Sequence, residues 1–140
     1  MAGEEDGAAP GQRRQAVRLE VTLKVRFTLL ADEETPSELA ALNQGEPLRG
    51  QIRDISAGGC LLLSETDLPP ETTLDMEITF PDDRQLAMIG QVVRKVPPPS
   101  RAGPKGHWLA MRWVGGRQER EFITGFIFRE LNFRRQRGLT

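Results

Sequence analysis

The sequence predicts a mainly-β domain: a six-stranded antiparallel β-barrel, closed or nearly so, with a C-terminal α-helix. Three observations predict it. A strict two-residue alternation runs over residues 17–29. Five shorter stretches of strand character follow, joined mostly by connections of hairpin length. After Gly115-Gly116 the period changes to that of an amphipathic helix.

Each element has its own signal. Val17, Leu19, Val21, Leu23, Val25, Phe27 and Leu29 alternate with Arg18, Glu20, Thr22, Lys24, Arg26 and Thr28. That is a long strand with one buried face. Residues 31–47 form a connection rich in acidic residues and turn formers. Within it, residues 36–42 suit one or two helical turns, ended by Asn43 to Gly45. Residues 48–55 read as a second strand with weaker alternation, 56–59 as a turn, and 60–63 as a short apolar third strand. Leu68-Pro69-Pro70 breaks the chain again. In the fourth strand Leu74, Met76, Ile78 and Phe80 alternate with Asp75, Glu77 and Thr79, and Pro81-Asp82-Asp83-Arg84 turns into a fifth over 86–96. Residues 97–106 form a loop, and 107–114 a sixth strand. Over 117–137, Phe122, Ile123, Phe126, Ile127 and Leu131 fall at helical spacing. Arg134, Arg135 and Arg137 then suit a helix C-terminus.

Length and composition narrow the function classes. A chain of 140 residues holds one domain with a real core. Residues 1–12, rich in Gly, Ala and acidic side chains, are expected to be a disordered tail. The domain is expected to run over 13–137, with 31–47 as an insertion. A net charge of -1 argues against coating DNA or an anionic membrane by bulk charge. Cys60 is the single cysteine and His107 the single histidine, so neither a disulfide nor a metal-ligand set is expected. No nucleophile stands with a base, so no catalytic residue is assigned and the chain is expected not to be an enzyme. No apolar run approaches the ~20 residues that span a bilayer. The acidic N-terminus lacks a secretory pattern, so a cytoplasmic location is expected.

Two short motifs carry the chemistry. The first is Arg13-Arg14-Gln15-Ala16-Val17-Arg18 and the second is Asp54-Ile55-Ser56-Ala57-Gly58-Gly59. Arginine forks suit phosphate oxygens and the O6/N7 edge of guanine, and they stack on purine faces. In an extended chain, Arg14 and Arg18 fall on the same side. Asp and Ser in a turn ordinarily bond nearby backbone N–H groups. With a ligand present, a carboxylate also accepts from the N1 and N2 donors of guanine, while Gly58 and Gly59 clear space beside the backbone. Elsewhere, Cys60 reads as core. Trp108 and Trp113 differ in parity, so one is expected in the core and the other on a surface or against the ligand.

Arg14-x-x-x-Arg18 followed by Asp54-x-Ser56-x-x-Gly59 resembles the paired motif of PilZ domains. The resemblance covers residues 13 to the final helix, in the same element order. It implies a bacterial six-stranded barrel that binds the second messenger cyclic di-GMP. By that resemblance, Arg14 and Arg18 hold the phosphates and the guanine O6/N7 edge, while Asp54, Ser56 and Gly59 receive a guanine. Arg13 occupies a position associated with binding an intercalated dimer of the nucleotide. Two features depart from the family pattern: Ala110-Met111-Arg112-Trp113 stands where Gly-Val-x-Phe is common, and Arg94 takes the place of an aromatic that stacks on a base.

The expected function is a non-catalytic cyclic di-GMP receptor. It changes conformation on binding and regulates motility, biofilm, pilus or exopolysaccharide machinery through a protein partner. One alternative is a PilZ-like adaptor that binds its partner without nucleotide. Another is a barrel that binds single-stranded nucleic acid, which the absence of Tyr and the near-neutral charge disfavour.

Overall fold

A computed structural model describes residues 17–32, 34–43 and 46–138. The expected tail over 1–12, together with Arg13 and Arg14, lies outside the described residues. The strands are β1 (Arg18–Leu29), β2 (Leu48–Ser56), β3 (Gly59–Ser64), β4 (Thr73–Thr79), β5 (Gln85–Lys95) and β6 (His107–Trp113). Between β1 and β2 lies a short helix, α1 (Ser37–Ala40), continued by a 3-10 turn (Ala41–Asn43). A long helix, α2 (Arg117–Gln136), follows β6.

The six strands close into a barrel in the order β1-β2-β3-β6-β5-β4. Every neighbouring pair is antiparallel. Closure falls on β1, which pairs with β2 on one side and β4 on the other. Alternation sorts its side chains: Leu19, Leu23, Val25, Phe27 and Leu29 are buried, whereas Arg18, Glu20, Thr22, Lys24 and Arg26 are exposed. The inner set meets Ile52, Ile55, Leu62, Leu74, Met76, Ile78, Val92, Leu109 and Met111 in one continuous core.

Helix α2 packs against β1, β2 and β5. Since β2 and β5 stand opposite one another in the ring, the helix lies across one end of the barrel. Ile123, Phe126 and Ile127 are its buried residues. Phe80, just past β4, meets Phe126 edge-on at 4.8 Å and Phe122 at 5.1 Å between ring centroids. Two glycines make the sharp entry into α2: Gly115 and Gly116 have φ of 67° and 70°, a region that favours glycine.

Two expectations need correction. Strand β2 extends through Ser56 and β3 starts at Gly59, so the turn expected over 56–59 shrinks to Ala57 and Gly58. The two tryptophans do face opposite sides, but both are buried, at 5% exposure for Trp108 and 4% for Trp113. Trp113 is part of the core inside the barrel. Trp108 is covered on the outer side instead, with the Arg53 guanidinium 5.6 Å from its ring centroid. Trp108 therefore offers no free surface.

Phe80→Ala is expected to cost about 3–5 kcal/mol in equilibrium urea unfolding, because it removes the aromatic that joins α2 to the barrel. A loss under roughly 1 kcal/mol would contradict the role given to this contact.

Candidate functional site

Two irregularities in the sheet build the site. The first is in β2. Glu20 pairs with Asp54, yet the next pairing is Leu23 with Ile52, so Val21 and Thr22 face Arg53 alone. On the β3 side Arg53 is itself the extra residue, between Ile52↔Leu62 and Asp54↔Leu61. Ile52 and Ile55 are three positions apart, yet both are fully buried. The two residues between them, Arg53 and Asp54, therefore both serve the outer surface. Bulges re-aim side chains in this way.

Asp54 thereby meets Arg18, the first residue of β1. Arg18 Nη2 donates to Asp54 Oδ2 at 2.8 Å and Nε donates to Oδ1 at 3.2 Å, a two-pronged pair. The Arg18 side chain is 66% exposed and that of Asp54 18%. The hydrogen bond that Arg18 donates to Asp54, and then the Asp54 charge, hold the Arg18 pKa above its ordinary value. Two of the five guanidinium N–H donors are engaged in this pair, which leaves the others for an anion.

The second irregularity is in β5. Val92 pairs with Met111 and Arg94 with Ala110, so Val93 is the extra residue. Val92 is buried, and uninterrupted alternation would turn Arg94 inward as well. The bulge places it on the outside, where it is exposed and lines the same cleft as Arg18 and Asp54. Among the described residues Arg94 has no hydrogen-bond or ion-pair partner.

Ser56 and Gly59 shape the turn between β2 and β3. Ser56 Oγ accepts from the N–H groups of Gly58 and Gly59, each at 3.3 Å, and donates to the Gly59 carbonyl at 3.3 Å. Trp113 anchors the turn from the neighbouring strand. Its indole Nε1 donates to the Ser56 carbonyl at 3.0 Å, and its backbone N–H donates to the Gly58 carbonyl at 3.0 Å. A Cβ at Gly59 would fall on the carbonyl of Met111 in β6, so this position admits no side chain. Nothing in the sequence pattern points to Trp113 or Met111 as supports of the motif. Their part depends on the β3–β6 pairing, a contact between distant segments.

The result is a surface cleft of about 560 Å³. Arg18, Asp54, Ser56, Gly58 and Gly59 form one side, Arg94 and Val96 another, and Leu61 and Ala110 supply apolar surface. Of the six site residues expected from the sequence, four are brought together here; Arg13 and Arg14 lie outside the described residues. Cys60 also borders the cleft, but its thiol is buried, and burial pushes its pKa upward. That makes it a poor nucleophile. Among the described residues, no three His, Cys, Asp or Glu side chains are grouped so as to hold a metal. No described helix is long and apolar enough to cross a membrane.

Fold and site together define a small antiparallel barrel with a surface cleft that has cationic forks at its edges and apolar surface within. The family model described as PilZ domain matches residues 12–129, and the chain belongs to that family. Among solved structures it is similar to the Bacillus subtilis inhibitor of motility (MotI/DgrA). The TM-score is 0.62 and the identity 21%, with 86% of this chain covered. The chain spans about half of that protein, 52%. It is also similar to the PilZ domain with c-di-GMP of YcgR from Escherichia coli. There the TM-score is 0.61 and the identity 20%, with 92% of this chain and 100% of that one covered. No curated protein matches the sequence.

Gly59→Ala is expected to destabilise the domain by roughly 2 kcal/mol or more, because the obstacle is backbone and cannot swing aside. Gly58→Ala, which meets only Ser56 Oγ at 4.0 Å, is expected to change stability little. Thermal unfolding of the two variants side by side checks this; equal midpoints would contradict the role given to the β3–β6 approach.

Proposed function

We propose that this protein is a non-catalytic receptor for cyclic di-GMP. The observation that carries the reading is the two-pronged Arg18–Asp54 pair at the edge of a cleft of about 560 Å³. Membership of the PilZ family supports it. So does the similarity to a barrel whose structure contains c-di-GMP.

The ligand combines two phosphodiesters with two guanines. The Arg18 fork offers charge-assisted hydrogen bonds to phosphate oxygens or to the O6/N7 edge of guanine. The Asp54 carboxylate matches the N1 and N2 donors of the same base. Arg94 presents a planar cation that can stack on a purine where other members carry an aromatic. Ser56 and Gly59 act by holding the turn, so that the ligand meets a preformed edge.

In the ligand-free protein Arg18 and Asp54 satisfy each other. An exposed ion pair contributes about 0–1 kcal/mol, so a ligand that offers Arg18 a phosphate and Asp54 a guanine edge displaces it at small cost. Arg13 and Arg14 precede β1 directly. In this reading they close on the bound nucleotide, and Arg13 supports an intercalated dimer. That closure alters the surface offered to a protein partner in motility, biofilm, pilus or exopolysaccharide control.

A second reading, a nucleotide-independent adaptor, draws on one observation. Ser56 Oγ is fully used within its own turn and Asp54 is already paired, so both are satisfied without a ligand.

Calorimetric titration of the full chain separates the two. Saturable heat with cyclic di-GMP is expected. Arg14→Ala, Arg18→Ala and Asp54→Ala should each weaken binding by roughly tenfold or more, about 1.4 kcal/mol. Arg13→Ala should lower the stoichiometry from two nucleotides per chain to one. No heat with the wild type would sink the receptor reading and leave the adaptor.

A further inference from the structure

A second cleft, of about 720 Å³, lies on another part of the barrel surface, between β1, β2, the end of β3 and the loop that precedes β6. Among the described residues four cations line it, Lys24, Arg26, Arg49 and Lys105, against one carboxylate, Glu65. The whole chain carries a net charge of -1, so this excess is local. Arg26 is bonded to Glu77, and Arg49 has Glu46 at 3.7 Å. Among the described residues neither Lys24 nor Lys105 has a hydrogen-bond or ion-pair partner.

We propose that this cleft docks an extended acidic segment of a partner protein. The placement of charge favours a linear ligand. Lys24 and Arg26 are alternate residues on the outer face of β1, roughly 6.6–7 Å apart along the strand. An extended peptide repeats its side chains at that same spacing, so carboxylates two residues apart fall in step with them. Arg26 also stands directly opposite Arg49 across the β1–β2 ladder. Each of these two already has a carboxylate neighbour, Glu77 and Glu46, so the unmatched charge in the cleft is that of Lys24 and Lys105. Leu63 and Pro104 give apolar surface for the stems of the incoming side chains.

The closed barrel has no free edge, so recognition here runs through side chains rather than by strand addition. No aromatic residue lines the cleft, which disfavours single-stranded nucleic acid, whose bases need stacking surfaces. The proposal rests on the barrel surface alone and is independent of the nucleotide reading.

The test uses the full chain without nucleotide and a fluorescein-labelled decapeptide of alternating Glu and Ser, followed by anisotropy at low ionic strength. Saturable binding is expected. It should weaken by roughly tenfold or more in the Lys24→Glu/Lys105→Glu double variant, since both side chains are exposed charges at the cleft. Arg18→Ala, in the other cleft, should bind the peptide like the wild type. Thermal unfolding of the double variant verifies that the barrel is intact. Absence of binding, equal binding by the double variant, or tighter binding of a single-stranded oligonucleotide of matched charge would each overturn the proposal.

Discussion

Closure of the barrel through β1 is the constraint on which the rest of the structure depends. This one strand pairs with β2 and with β4, so its twelve residues fix the register on both sides of the seam. Its alternation is strict because each inward side chain joins a core that has no second layer to compensate. The same strictness sends every intervening polar residue outward. Arg18 stands at one end of that outer row, and Lys24 and Arg26 further along. The core and both clefts thus follow from one two-residue period.

A closed sheet of strict period, however, cannot aim every functional group outward. Asp54 and Arg94 follow buried residues at the wrong spacing, and regular alternation would leave at least one of each local set pointing inward. An extra residue in each strand resolves the conflict: Arg53 in β2, counted against β3, and Val93 in β5, counted against β6. The bulges interrupt three ladders, β1–β2, β2–β3 and β5–β6. In return they bring a carboxylate and two guanidiniums from three strands to one cleft. Ser56 and Gly59 act by other means, through turn hydrogen bonds and the close approach to Met111.

Much of the fold was legible in the sequence because its signals are local. Alternation marked β1 and β4, the proline- and glycine-rich loop marked the entry to β6, and the change of period after Gly115-Gly116 marked α2. The weaker alternation of β2 was legible too, although its cause was not. A bulge shows itself only against the partner strands, and those are distant in sequence. Trp108 was misjudged for the same reason: its parity is outward, but Arg53 from β2 covers its ring. At the candidate site, the motif spacing pointed to Arg18, Asp54, Ser56 and Gly59, which the fold brings to one cleft. It did not separate side chains aimed at the cleft from those that hold the turn, because that distinction lies in hydrogen bonds to β6. The basic cleft escaped notice altogether: Lys24, Arg49 and Lys105 belong to no motif and meet only in the folded barrel.

Backbone and arginine side-chain NMR of the isotopically labelled chain, with and without saturating cyclic di-GMP, tests the central claim most directly. The account predicts that the Arg18 Nε–H resonance and the Gly58 and Gly59 amides move on ligand addition, with Arg94 responding alongside them. Amides around Lys24, Arg49 and Lys105 should stay near their free positions. Unchanged Arg18 and Gly59 resonances at saturating ligand, or shifts confined to the basic cleft, would contradict it.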